Sequence, residues 1–168
     1  MAQVLILLGG NIGDVKATFQ KALMLLNSKF QTPKRLSSIF ISEAWGFLAK
    51  ERFFNQIIEF DCTQQPIEVL TIIQEAEKQL GRIRNNSAAY QSRPIDIDIL
   101  FIDNLQISTP ELTIPHPLLH IRRFTMEPLM EHWAEKIHPG LNKSIKQLYD
   151  QCPDQSVVLK DEASIPLY

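Results

Sequence analysis

The stretch Arg93-Pro94-Ile95-Asp96-Ile97-Asp98-Ile99-Leu100 places two carboxylates two residues apart, beside an arginine, in an otherwise apolar run. On a β-strand such residues share a face. At a rise of roughly 3.3 Å per residue, Asp96 and Asp98 can converge on one site while Ile95, Ile97 and Ile99 take the other face. Oxygen ligands of this kind suit Mg²⁺, which takes one or two carboxylates and leaves its other positions to water and substrate phosphates. Paired ions roughly 3.5 to 4 Å apart fit the spacing. Phosphate chemistry is the first expectation. The plain alternative is a solvated strand face, because half-buried strands alternate apolar and polar residues, although Asp is depleted in strands.

Other groups could serve the same chemistry. Arginines come in small sets, Arg82 with Arg84, Arg93, and Arg122 with Arg123, which suits a compact polyphosphate. Gln74 and Glu77, three apart on a helix, are neighbours on what reads as its polar face. Tyr90 is the one aromatic in the polar stretch Asn85 to Ser92, free either to stack on a base or to pack. His116 between Pro115 and Pro117 is held stiffly. Neither it nor His120 has cysteine or carboxylate partners at zinc spacing. Gly9-Gly10-Asn11-Ile12-Gly13-Asp14 lies where a glycine-rich phosphate loop would be, but it matches neither the dinucleotide nor the P-loop pattern and reads as a tight turn.

These residues need a frame. Val4 to Leu8 reads as a buried strand. A helix capped by Asn11 or Asp14 follows, with Val15, Phe19, Ala22, Leu23, Leu26 and Phe30 as its apolar stripe. Leu36 to Ser42 and Phe53 to Phe60 are β-rich, joined by the loop around Trp45 to Lys50. Pro66 opens a second helix, whose stripe is Val69, Ile72, Ile73, Ala76 and Leu80, and Gly81 ends it. With Ile95 to Ile102 as a strand, the order is β-α-β-β-α-β, that of the ferredoxin-like α+β fold, with two helices on one face of an antiparallel sheet. Leu112 to Ile114 is a further short strand. Phe124 to Ala134 and Lys143 to Gln151 have helical stripes that can cover the sheet or its edge, with Pro128 predicting a kink or late start in the first.

At 168 residues the chain has the length of one domain, residues 1–168. A net charge of −2 and a pI near 6.1 lack the basic stripe of a nucleic-acid binder. No signal peptide or membrane span is expected at the amino terminus. Cys62 and Cys152, ninety residues apart, read as reduced thiols of a cytoplasmic protein.

Taken together, Leu8-Gly9-Gly10-Asn11-Ile12-Gly13-Asp14, Phe53-Phe54-Asn55, Gly81-Arg82-Ile83-Arg84, Arg93-x-x-Asp96-x-Asp98 and Pro115-His116-Pro117 resemble the 6-hydroxymethyl-7,8-dihydropterin pyrophosphokinase family, from about Val4 to His138. The resemblance implies a ferredoxin-like core on which ATP passes its terminal pyrophosphoryl group to the pterin's hydroxymethyl oxygen, leaving AMP, in folate synthesis. It implies that Asp96 and Asp98 hold two Mg²⁺ ions. Arg82, Arg93 and Arg122 would contact or organise phosphates, and Gln74, Glu77, Arg84, Tyr90, Ile99, Thr113 and His116 would lie near the nucleotide. Phe53 and Phe124 would sandwich the pterin and Asn55 would read its edge, with the stretch Ser42, Glu43, Ala44 and Trp45 completing the pocket.

Several positions depart from the family pattern. Phe53 stands where Tyr is common and Tyr90 where tryptophan occurs. Ala89-Tyr90-Gln91-Ser92-Arg93 replaces an Arg-Trp-Gly-Pro-Arg type of segment, and Glu111 and Pro117 replace arginine and tyrosine of some members. Altered ATP affinity, with the reaction kept, is the expectation. The loops Trp45 to Arg52 and Arg82 to Ser92 are expected lids. Two rival readings remain at this point: a palm-like nucleotidyl transferase, and a pterin- or nucleotide-binding module without catalysis.

Overall fold

A computed structural model of the chain describes residues 1–83 and 90–163. Arg84 and the stretch 85–89 of the second expected lid lie outside the described residues. Strand β1 (Ala2–Gly10) leads to helix α1 (Val15–Asn27), then β2 (Arg35–Leu36), β3 (Phe40–Ser42), β4 (Phe53–Cys62), α2 (Pro66–Gln79) and β5 (Asp96–Ile102). Next come β6 (Ile107–Ser108), β7 (Thr113–Ile114), a single 3-10 turn (Leu119–Ile121), α3 (Arg123–His132), β8 (Ile137–His138), β9 (Lys143–Ser144), α4 (Ile145–Asp150) and β10 (Val158–Lys160). The main sheet runs β10-β3-β4-β1-β5, with β2 also paired to β4 and every pairing antiparallel. This is the ferredoxin-like order, its second strand broken in two.

The break has a local cause. At Ser37, between β2 and β3, the chain still exchanges backbone bonds with β4, since Ser37 N donates to Ile57 O at 2.9 Å. The Ser37 hydroxyl then accepts from Ile57 N at 2.9 Å and donates to Ser38 O at 2.8 Å. A side chain thus replaces a ladder carbonyl and turns the strand. Helix α1 is capped by Asp14, whose carboxylate accepts from Ala17 N at 3.0 Å, and Asn11 is engaged elsewhere. Gly13, with φ of +73°, makes the turn, whereas Gly9 and Gly10 are strand residues. Helix α3 runs through Pro128 from Arg123, so the proline does not delay its start. Lys143 belongs to a strand, and only Ile145–Asp150 of the Lys143 to Gln151 stretch is helical, because Ser144 takes the N-cap and accepts from Gln147 N.

Strand periodicity divides the core. Val4, Ile6, Leu8, Ile58, Phe60, Ile97 and Ile99 face α1 and α2, while Leu5, Leu7, Ile57, Leu100 and Phe101 face α3 and α4. Leu100 and Phe101 share the second face because the β1–β5 register slips between Leu5 and Ile6, a bulge that bends the strand below the carboxylates. Helix α3 is fastened by Trp133 Nε1, which donates to the buried Glu59 at 2.7 Å. The candidate site opens at the other end of this second face, where Leu7 and Gly9 of β1 line it.

Gly10 sets how closely the strands can meet. A Cβ there would lie 2.5 Å from Pro94 O and 3.1 Å from Pro94 C, both backbone atoms that cannot swing aside. Gly10→Ala should therefore destabilise by about 2 kcal/mol, the usual scale of overpacking, and lower the melting temperature by about 4–8 °C for a chain of this size. Thermal unfolding followed by circular dichroism checks this, and an unchanged midpoint would refute it.

Candidate active site

Three strands put a row of residues side by side: Asp96 on β5 is opposite Gly9 on β1, and Gly9 is opposite Asn55 on β4. One step down, Asp98 is opposite Leu7 and Leu7 opposite Ile57. The middle of the row has no side chain, so the floor between the carboxylates and Asn55 is bare backbone. Above it lies an open cleft. Asp96 and Asp98 line it from one side and Phe53, Asn55 and Ser42 from the other, with Trp45, Tyr90, Arg93, Arg122 and Phe124 above.

The carboxylate side is strongly charged. Arg82 pairs with both Glu77 and Asp96, and Arg93 Nη1 reaches Asp96 Oδ2 at 3.2 Å. Burial works against the Arg82 charge, but Asp96 and Glu77 outweigh it and raise its pKa. Asp98 has no such cover. Burial first, and Asp96 next, push its carboxyl up to about 7, against the pull of Arg122 and Arg82. His116 Nδ1 accepts from Leu118 N at 3.1 Å, which leaves Nε2 as the N–H, 3.9 Å from Asp98 Oδ2. Burial, then Arg122, push that imidazole down to about 4, with Asp96 opposing, so it is neutral at pH 7. Among the described residues no third His, Cys, Asp or Glu joins the two aspartates in a closed metal cage.

Glu77 corrects the polar-face reading. It is 1 % exposed and accepts from Ile97 N at 2.8 Å as well as from Arg82, tying α2 to the carboxylate strand. Its position was legible: Val69, Ile73, Ala76 and Leu80 define the buried stripe, and Glu77, four after Ile73, falls on it. Gln74 is exposed beside Glu77, Lys78 and Arg82 in a separate outer groove. Thr113 is exposed on β7. Ile99 is no pocket residue, because its side chain lies in the core under the helices, and any contact it makes with a nucleotide is through its backbone.

The aromatic side holds most of the residues expected around a flat ring. Phe53 is buried with Phe47 edge-on to it at 5.8 Å, and Phe124 is half-buried in the same lining. Asn55 Nδ2 donates to the buried Ser42 hydroxyl at 3.0 Å, which tethers the side chain. Glu43 lines the mouth, paired with Arg52 at 3.0 Å, whereas Ala44 is half-buried outside the lining. Leu7 and Phe47 are lining residues outside the motifs, and Gly9 lines the cleft from within the motif that read as a tight turn. Strand alternation from Leu5 implies Leu7 and Gly9, and no sequence signal marked Phe47.

Two residues expected at the nucleotide lie among these rings. The Arg122 guanidinium sits 4.5 Å from Trp45, 5.5 Å from Tyr90 and 5.6 Å from Phe124, only 6 % exposed. It donates to the Tyr90 hydroxyl at 2.7 Å, and Tyr90 packs edge-on against Trp45 at 5.7 Å. Cation–π attraction of a buried guanidinium accounts for this placement. The Nε–H groups of Arg93 and Arg122 are buried and donate to no described residue. Such spare donors suit an anionic ligand.

Comparison with known proteins bears on the family and the fold. Residues 5–134 match the family model of 7,8-dihydro-6-hydroxymethylpterin-pyrophosphokinase, HPPK. A 2-amino-4-hydroxy-6-hydroxymethyldihydropteridine pyrophosphokinase of Porphyromonas gingivalis is 36% identical over 83% of this chain and 95% of its own length. The protein of that name from Aquifex aeolicus is 35% identical over 88% and 90%. The mitochondrial folate synthesis bifunctional protein of Pisum sativum is 33% identical over 77% of this chain and 25% of its own length. Among solved structures, wild-type Plasmodium falciparum HPPK-DHPS with pteroate superposes with a TM-score of 0.74 at 13% identity, over 89% of this chain. This chain spans only 44% of that larger one, so the likeness speaks to the fold.

Proposed function

The chain belongs to the 7,8-dihydro-6-hydroxymethylpterin-pyrophosphokinase family, and we propose that, as a single pyrophosphokinase domain, it moves the terminal pyrophosphoryl group of ATP onto the pterin's hydroxymethyl oxygen, releasing AMP. One observation carries the reading: the row Asp96–Gly9–Asn55, where a carboxylate pair suited to a polyphosphate meets an aromatic pocket suited to a pterin across bare backbone. The pterin lies between Phe53 and Phe124, each stack contributing on the order of 1 kcal/mol beyond burial. Asn55, held by Ser42, presents its amide to the hydrogen-bonding edge. Arg122 leaves the rings to make room and carries its charge toward the phosphates. Two free, buried thiols accord with a reducing, cytoplasmic setting.

The alcohol is a weak nucleophile and the β-phosphorus is shielded by negative oxygens, so catalysis is mainly positioning and charge neutralisation. Arg82 and Arg93, with the spare Arg93 Nε–H, supply fixed positive charge at the carboxylate end. The donor set fits Mg²⁺: two carboxylates on one strand face, with no closed cage among the described residues, leave positions for phosphate oxygens. Asp96 and Asp98 would hold two ions, which supply neutralisation of the triphosphate and acidification of the alcohol when bound. In this reading Asp98 would accept the alcohol's proton. Phosphorus NMR of ATP turnover tests the reaction. AMP and a pterin diphosphate should form only when pterin and Mg²⁺ are both present. Formation of ADP, or turnover indifferent to pterin, would refute it.

A pH dependence follows from Asp98. A cation needs the carboxylate, and with the carboxyl protonated below about 7, Mg²⁺ affinity should fall about tenfold between pH 8 and pH 6, the consequence of displacing one proton. The stability of the metal-free chain carries the opposite sign. A folded-state pKa above the unfolded one gives a contribution present at low pH and lost as pH rises through about 7. Calorimetric Mg²⁺ titrations at the two pH values check the first statement, and equal affinities would contradict it.

A further inference from the structure

We propose that Asn11 is a positioning residue that sets the place of Arg93 in the site, an inference that rests on the pyrophosphokinase reading above. Asn11 is 4 % exposed at the end of β1, next to the Gly10 that packs on Pro94. Its backbone N–H donates to Arg93 O at 3.0 Å, and its Oδ1 accepts from Arg93 N at 2.9 Å. The two bonds grip both sides of one residue as a strand partner would, with the side-chain amide standing in for a backbone carbonyl. The other half of the amide turns outward: Nδ2 donates to Ser92 Oγ at 2.9 Å and to Glu51 O at 3.4 Å. Partner chemistry fixes this orientation, since Arg93 N can only donate and Glu51 O can only accept.

Arg93 precedes Pro94 and lies outside the β5 ladder, so its backbone is anchored by Asn11 and not by the sheet. The Arg93 side chain in turn pairs with Asp96 and lies 5.9 Å over Phe53, touching both halves of the cleft. A shift of the Arg93 backbone therefore moves a charge aimed at the phosphates together with a wall of the ring pocket. The Glu51 contact ties the same amide to the loop before Phe53, so one side chain sets the spacing of three segments at the mouth.

A double-mutant cycle on AMP formation tests the role, because a residue acting through another gives non-additive losses. Asn11→Ala should lower kcat on the order of 10²-fold, the scale of a 1 Å misplacement, a larger factor than the rise in its pterin and ATP dissociation constants. Arg93→Ala should lose at least as much, and the double variant should match Arg93→Ala within about twofold. Should Asn11→Ala melt below the assay temperature, Asn11→Ser, whose hydroxyl is too short to reach Arg93 N, carries the same cycle. Losses that multiply would overturn the proposal, as would an unchanged kcat in the Asn11 variants while Arg93→Ala is impaired. A fully active Arg93→Ala enzyme would overturn this proposal and the catalytic role given to Arg93 together.

Discussion

Asp98→Ala and Asp96→Ala should each lower AMP formation on the order of 10³-fold or more, the scale at which removing a fixed electrostatic partner of a transition state is felt. The two variants should differ in everything except that loss. Asp98 lies close to Asp96 and is half-buried, and its ionisation is opposed by both facts. Removing it relieves like-charge repulsion, so Asp98→Ala should be at least as stable as wild type at pH 8 in the absence of Mg²⁺. Asp96 is instead the shared partner of Arg82 and Arg93. Its loss leaves Arg93 without that ion pair and Arg82 with Glu77, so Asp96→Ala should be less stable at low salt. Steady-state AMP release with thermal unfolding at pH 8 separates the cases. Activity retained by either variant would show that the pair does not organise the phosphates.

Gly9→Val should weaken pterin binding at least about 10²-fold while leaving the chain folded. A Cβ at Gly9 would lie 3.5 Å from Asn55 Oδ1 and 4.0 Å from Phe54 O, ordinary contact distances. The backbone there is extended, where a β-branched residue is at home. The added methyl groups, however, would stand on the floor between Asp96 and Asn55, in the space the ring must enter. Losing the stack and the Asn55 contact amounts to about 3 kcal/mol, or at least about 10²-fold in affinity. ATP binding, on the other side of the row, should change little. Calorimetric titration with pterin and with a non-hydrolysable ATP analogue measures both. Undiminished pterin affinity would place the ring elsewhere.

Much of the frame is legible from periodicity. The apolar runs of β1, β4 and β5 and the stripes of α1 and α2 each repeat long enough to specify an element, and their order specifies the topology. Short elements escape because their cause is a single bond. The break between β2 and β3 depends on the Ser37 hydroxyl, and the placement of β10 at the sheet edge depends on tertiary pairing with β3. The site shows the same division. Residues on strands, such as Asp96, Asp98, Phe53 and Asn55, follow from alternation. Phe47, and the stacking of Arg122 among Trp45, Tyr90 and Phe124, depend on loops whose paths have no period. Asn11 lay within a motif that read as a turn, and its role in the fold emerges only from the bonds it makes to a residue far along the chain.

The claim on which the rest stands is that Asp96 and Asp98 jointly hold divalent cations against the phosphates of a bound nucleotide. Electron paramagnetic resonance with Mn²⁺ in place of Mg²⁺, on the complex with a non-hydrolysable ATP analogue, addresses it directly. Two Mn²⁺ per chain, magnetically coupled and both lost in Asp96→Asn and Asp98→Asn, is the expected result. Mn²⁺ bound through the nucleotide alone, with the same spectrum in wild type and both variants, would contradict it.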